Sequence, residues 1–150
     1  AELSGLLHDC AKHYNDAEII KKCRKHEIEL KDAELKAPAV LHAKYGAWLA
    51  ERRYGITDPD VLSAIRWHTT GRAGMTTLDK IIYIADYIEP RRDKAPDLPR
   101  MRKMAFEDLD LTMYAILEGT LLYLKKKGGT VDPMTNEAYE YFKKLTSPGR

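Results

Sequence analysis

Five side chains stand where imidazole and carboxylate chemistry could be assembled: His8, Asp9, His42, His68 and Asp86. A neutral imidazole nitrogen and a charged carboxylate oxygen together suit iron, manganese, cobalt or zinc. Neighbouring side chains on a helix diverge by about 100°, so His8 and Asp9 meet on one cation only over a helix end or edge. The pair follows Leu6 and Leu7, beside a prospective core, where an unpaired carboxylate is costly. Taken singly, the dipeptide is equally well read as two solvated groups. His42 shares a helical face with Tyr45, and alone it reads as a satisfied core histidine. His68 precedes Thr69-Thr70-Gly71, whose amides and hydroxyls suit phosphate; a favourable charge at a helix C-terminus explains it equally well. Asp86 is the most informative, because it sits among isoleucines and tyrosines in LDKIIYIADYI (78–88). A carboxylate there needs a strong partner, and a metal is a good candidate. The plain alternative is a Lys80 pair with Asp79 or Asp86. His13 and His26 lie in charged surroundings and read as surface residues. The charged run from Lys21 to Lys36 reads as a solvated face.

Helices must position these groups. Leu3, Leu6, Leu7 and Cys10 recur at helical spacing. Asn15 and Asp16 can cap a short helix over Ala17 to Cys23. Pro38 suits the first turn of a helix reaching about Tyr54, which Gly55 ends. Asp58 followed by Pro59 opens a helix running to His68. A polar loop spans Thr69 to Gly74. Thr77 can cap the next helix, which stops before Pro90. The segment Arg91 to Pro99 reads as a loop. Helices over Met101 to Glu107, Leu111 to Lys127 and about Asn136 to Leu145 complete the chain, the second closed by Gly128 and Gly129. Alternating β-branched runs are absent, so the fold class is all-α.

Composition bounds the function. A chain of 150 residues, 44% hydrophobic and 32% charged, fits one domain with one core. A net charge of +2 argues against a general nucleic-acid binder and requires any positive field to be local. No apolar run approaches the roughly 20 residues of a membrane span, and no signal-peptide pattern is present. Cys10 and Cys23 read as free thiols of a reducing cytoplasm. Tyr139 and Tyr141 on the last helix could join a homodimer interface.

In their order, these residues resemble the HD-domain phosphohydrolase superfamily and, within it, the YqeK family. The resemblance is carried by GLLHDCAK (5–12), LHAKYGA (41–47), IRWHTTG (65–71), LDKIIYIADYIEPRR (78–92) and GGTVDPMTNEA (128–138). Any one piece is weak; five in the family's order over nearly the whole chain are specific. The resemblance implies an HD-type helical bundle and a metal-dependent hydrolase that cuts diadenosine tetraphosphate symmetrically into two ADP. It implies His8, Asp9 and Asp86 as metal ligands, commonly of iron, with His42 and His68 facing the phosphates or a second divalent metal. Lys12, Thr69 and Arg92 fall on phosphate-side positions, and Gly129, Thr130, Val131, Asp132, Pro133, Met134 and Thr135 on the segment that wraps the nucleotide. Asp9, Lys12, His42 and His68 are the implied catalytic groups; Asp86 also lies beside the substrate. The expected ligands are a dinucleoside polyphosphate or a nucleoside diphosphate.

Two departures stand out. The family's first metal histidine lies upstream of HD and has no equivalent here; the mid-helix start AELSGLLHD makes a missing N-terminal helix the expectation. Asp132 stands where a histidine is expected. The competing expectations are another HD nucleotide phosphohydrolase (a nucleotidase or phosphodiesterase) and a catalytically dead nucleotide-binding module.

Overall fold

The computed structural model describes residues 1–95 and 97–147; Pro96, within the expected Arg91–Pro99 loop, lies outside them. Among the described residues every regular element is helical. In chain order these are α1 (Glu2–Leu7), α2 (Asp16–Lys25), α3 (Asp32–Lys36), a 3-10 turn (Pro38–Val40), α4 (Leu41–Arg52), α5 (Pro59–Trp67), α6 (Thr77–Tyr87), α7 (Leu98–Met104), α8 (Leu109–Lys127) and α9 (Pro133–Thr146). Among the described residues no helix is long and apolar enough to cross a membrane.

Local sequence explains the helix ends. Asn15 accepts from the Glu18 amide while Glu18 accepts from Asn15, a capping box for α2. Asp58 accepts from the Asp60 and Val61 amides and Pro59 occupies the first turn of α5. Gly128 closes α8 in the left-handed region at φ +66°. Three boundaries differ from expectation for the same kind of reason. Thr76, not Thr77, caps α6, in a reciprocal box with Asp79. Asp108 caps α8, which therefore starts at Leu109. Asp132 accepts from the Met134 amide, so α9 begins at Pro133 and residues 133–135 are its first turn, not loop. Helix α7 begins at Leu98, inside the expected loop.

Helix α4 packs on α5, α5 on α6, α6 on α8, and α8 on α9, while α1 rests on α5. One apolar cluster joins Ile19, Cys23, Leu41, Tyr45 and Leu49 of α2 and α4. A second joins Tyr83, Ile84, Met101, Met113, Leu117 and Phe142 of α6 to α9. Between them, Ala50, Val61 and Ile65 form a bridge, with Leu7 and Leu78 against it. Helices α5 and α6 thus run through the middle, and their C-terminal ends carry His68 and Asp86.

The charged run over α3 is not wholly solvated. Glu34 is buried and receives Lys44 Nζ at 2.8 and 3.0 Å and Arg66 Nη2 at 3.4 Å. This corrects the reading of Lys21–Lys36 as a solvated face: Glu34 is the residue by which α3 grips α4 and α5. His26 is likewise half-buried, stacked on the Trp48 ring at 4.0 Å, rather than a free surface residue. Lys80 bonds Asp110 at 2.7 Å instead of Asp79 or Asp86, tying α6 to α8. Asp79 pairs with Arg72 at 3.1 Å and accepts from the Thr76 amide, which holds the 69–75 loop against α6.

Candidate metal centre

Helix α1 ends at Leu7, so His8 and Asp9 fall in the turns that follow it, over a helix end. The α1 contact with α5 brings that turn beside His68, α4 supplies His42, and the last turn of α6 supplies Asp86. All five chemistry-bearing residues singled out from the sequence therefore converge.

The three imidazoles are oriented in one way. His8 Nδ1 lies 2.7 Å from Gly5 O, His42 Nδ1 2.6 Å from Ala39 O, and His68 Nδ1 2.7 Å from Ile65 O. Each acceptor is the carbonyl three residues back. A carbonyl only accepts, so each Nδ1 carries the proton and each neutral ring presents a bare Nε2 lone pair. Those lone pairs point into one space. His42 Nε2 and His68 Nε2 are 3.1 Å apart. Asp9 Oδ1 lies 3.3 Å from His42 Nε2 and 3.5 Å from His68 Nε2. Its other oxygen lies 3.5 Å from His8 Nε2 and accepts from Lys12 Nζ at 2.7 Å. His8 Nε2 is in turn 3.6 Å from Asp86 Oδ1. Asp9 is thus the middle of the cluster, with one oxygen toward His8 and one toward His42 and His68.

Such a set of acceptors is unstable without something positive among them. Asp9 Oδ1 is buried and has no hydrogen-bond donor among the described residues. Two neutral Nε2 lone pairs at that separation repel unless a proton or a cation lies against both. Ligand atoms of His8, Asp9 and His68 all lie within 4.8 Å of one another. Soft-to-borderline nitrogen and hard oxygen donors, pre-oriented by backbone carbonyls, fit a divalent transition metal.

Burial pulls the His42 imidazole below its ordinary value, which keeps it neutral. The Asp86 carboxylate beside His8 raises that imidazole. Burial alone would raise Asp9, but the His68 ring and the Lys12 ammonium hold it well below the usual carboxylate range. Burial pushes Asp86 the same way and the His8 contact overcomes it, so Asp86 is also lowered. Both carboxylates are charged across the neutral range.

A cavity of about 440 Å³ opens from His68 and Asp86 and is walled by Thr69, Arg92, Lys94 and Tyr123. Arg92 Nη2 donates to Asp86 O at 3.1 Å and lies 3.9 Å from its Oδ2. Thr69 Oγ1 is buried without a partner among the described residues. Lys12 stays with Asp9. The segment 129–135 does not line this cavity; it supplies the N-terminal cap and first turn of α9, with Asp132 and Thr135 buried. Lys94 and Tyr123 were not legible beforehand: one sits in a charged loop and the other among leucines and lysines, and neither context marks a cavity wall.

The chain is similar to known proteins over most of its length. The HD domain family matches residues 1–91. The symmetrical bis(5'-nucleosyl)-tetraphosphatase of Bacillus subtilis is 40% identical over 144 residues, covering 94% of this chain and 75% of that protein. Its namesake from Halalkalibacterium halodurans is 38% identical over 139 residues, covering 93% and 73%. The crystal structure of a predicted HD superfamily hydrolase involved in NAD metabolism from Clostridium acetobutylicum superposes with a TM-score of 0.90 at 41% identity, over 95% of this chain and 75% of that one. With a domain match over more than half its length and relatives of this closeness, the chain belongs to the HD-domain hydrolases, in the branch of the symmetrical bis(5'-nucleosyl)-tetraphosphatases.

Proposed function

We propose that this protein is a divalent-metal-dependent hydrolase that cuts diadenosine tetraphosphate in the middle of its phosphate bridge and releases two ADP. The observation that carries the reading is the convergence of three Nε2 atoms on Asp9, with Asp9 Oδ1 within 3.5 Å of His42 and His68, beside a cavity that His68 and Asp86 line together with Arg92 and Lys94. His8, Asp9 and Asp86 would hold the cation. His42 and His68, on the other Asp9 oxygen, would face the phosphoryl group or take a second cation. Iron is our first assignment from the resemblance, and manganese, cobalt and zinc suit the same donors.

When bound, the cation supplies Lewis acidity, lowering the pKa of a coordinated water and polarising a phosphoryl oxygen. The residues supply the rest. Asp9, held ionised, can orient the attacking water. His42 and His68 would sit beside the reacting phosphoryl group, where they orient it or hold a second cation that offsets charge growing in the transition state. Lys12 and Arg92 neutralise the flanking phosphates, and Thr69 Oγ1 offers a hydroxyl with no competing partner. Since the net charge of the whole chain is only +2, this local cation cluster must select the polyanion. The 129–135 segment, at the head of α9, would close over a nucleoside only by moving toward the cavity or through a ligand that extends beyond it.

The decisive experiment is product identification after metal loading. Diadenosine tetraphosphate should yield ADP as the sole nucleotide product. Release of AMP with ATP, or turnover confined to mononucleotides, would refute the symmetrical assignment.

A further inference from the structure

The turn that follows α6 is fastened by a residue from outside the site. Arg102, on α7, donates Nε to Ile88 O at 3.1 Å and Nη2 to Glu89 O and Arg92 O, both at 3.0 Å. All three acceptors are backbone carbonyls. Ile88 is the C-cap of α6. Carbonyls at a helix C-terminus lack intrahelical donors and carry the negative end of the helix dipole. One half-buried guanidinium answers both needs. Its planar fork meets several convergent oxygens at once, which a single ammonium does poorly.

The turn it grips contains functional groups at each end. Asp86 lies in the last turn of α6, and Arg92 closes the turn. Arg92 is placed by that backbone: its amide donates to Glu89 O at 3.0 Å, its Nη2 to Asp86 O at 3.1 Å, and its guanidinium lies 5.5 Å from the Tyr87 ring centroid. Arg92 Nε is buried with no acceptor among the described residues. A donor held in this way, on a wall of the cavity, serves an anion only if the turn stays in register.

We propose that Arg102 is a positioning residue that sets Arg92 against the phosphate groups while touching neither substrate nor cation. The inference rests on the phosphate-side reading of Arg92 given above. Arg92 contacts a flanking phosphate in substrate and transition state alike, so losing its register should weaken binding and show in KM.

The test is a double-mutant cycle on steady-state hydrolysis of diadenosine tetraphosphate by the full chain, with manganese supplied: parent, Arg92→Ala, Arg102→Met and the double variant. Methionine keeps the aliphatic stem of Arg102. Arg92→Ala should raise KM roughly 100-fold and Arg102→Met about tenfold, with kcat changed less than about twofold. The double variant should match Arg92→Ala alone, because Arg102 acts through Arg92. Arg102→Lys should recover part of the lost affinity. Losses that multiply in the double variant, or an Arg102→Met protein that melts earlier with KM unchanged, overturn the positioning role. An Arg92→Ala protein with parental KM overturns the reading of Arg92 and the positioning role with it. If Arg102→Met does not fold, the cycle is run with Arg102→Lys and judged by the same two outcomes.

Discussion

Replacing Glu34 with alanine should destabilise the protein strongly although the residue lies outside the proposed metal centre. The Glu34 side chain is 4% exposed, with Lys44 at 12% and Arg66 at 22%. It takes two bonds from Lys44, a longer one from Arg66, and one from the Lys31 amide at 2.9 Å. Alanine removes the anion and leaves two partly buried cations without it. Breaking a buried pair from one side costs about 3–5 kcal/mol. In a domain of this size each kcal/mol shifts the melting point by about 2–4 °C, so a fall of roughly 6–20 °C is expected. Thermal unfolding followed by far-UV circular dichroism reads it. Glu34→Gln, which keeps the volume and one acceptor oxygen, should lose less. The pair replacement Glu34→Leu with Lys44→Met should recover part of the loss, since it strands one cation, the more exposed Arg66, instead of two.

Acid should weaken the same contact. Burial would raise the Glu34 pKa, but the Lys31 amide and the Lys44 ammonium overcome it and the carboxyl is lowered from its ordinary 4.5. A lowered folded-state value means the stabilisation is whole above that ordinary value and is lost as pH falls through the folded one. The gap between parent and Glu34→Gln should therefore shrink below about pH 4.5. A Glu34→Ala protein that melts within about 2 °C of the parent at neutral pH would refute the reasoning.

Three other outcomes follow from the geometry. Divalent manganese or cobalt should raise the melting point of metal-stripped protein by roughly 5–11 °C at a hundred times the dissociation constant, and Asp9→Ala should abolish the rise, as read by thermal shift. Gly71→Ala should cost about 1–2 kcal/mol in urea unfolding, because Gly71 adopts φ +69° and an added Cβ would meet Ala138 Cβ at 3.2 Å; an unchanged unfolding midpoint would count against it. Asp79→Ala strands Arg72 and the Thr76 amide and should cost about 2–3 kcal/mol in the same assay, with Thr69 displaced enough to raise KM; an unchanged KM would separate that loop from the site.

Much of the molecule could be read before the fold was known. The all-α class and most helix positions followed from apolar spacing, proline and glycine, and apart from α3, which no apolar spacing marked, the elements appear where expected within a few residues. The places where boundaries moved, Thr76, Asp108 and Asp132, are aspartate or threonine caps competing with near neighbours of the same chemistry. The five candidate residues His8, Asp9, His42, His68 and Asp86 were also identifiable, Asp86 by its apolar surroundings and the set by its order along the chain.

Tertiary structure alone decided the rest. That one Asp9 oxygen faces His8 and the other faces His42 and His68 depends on how α1, α4, α5 and α6 pack, which no local spacing encodes. Glu34 looked like one more solvated charge in a charged run until Lys44 and Arg66 closed over it. Arg102 gave no signal at all, because its partners are main-chain carbonyls, and every residue has one. Sequence carries side-chain type and local periodicity; which backbone groups and which distant charges meet is set by packing, and there the geometry of this site was made.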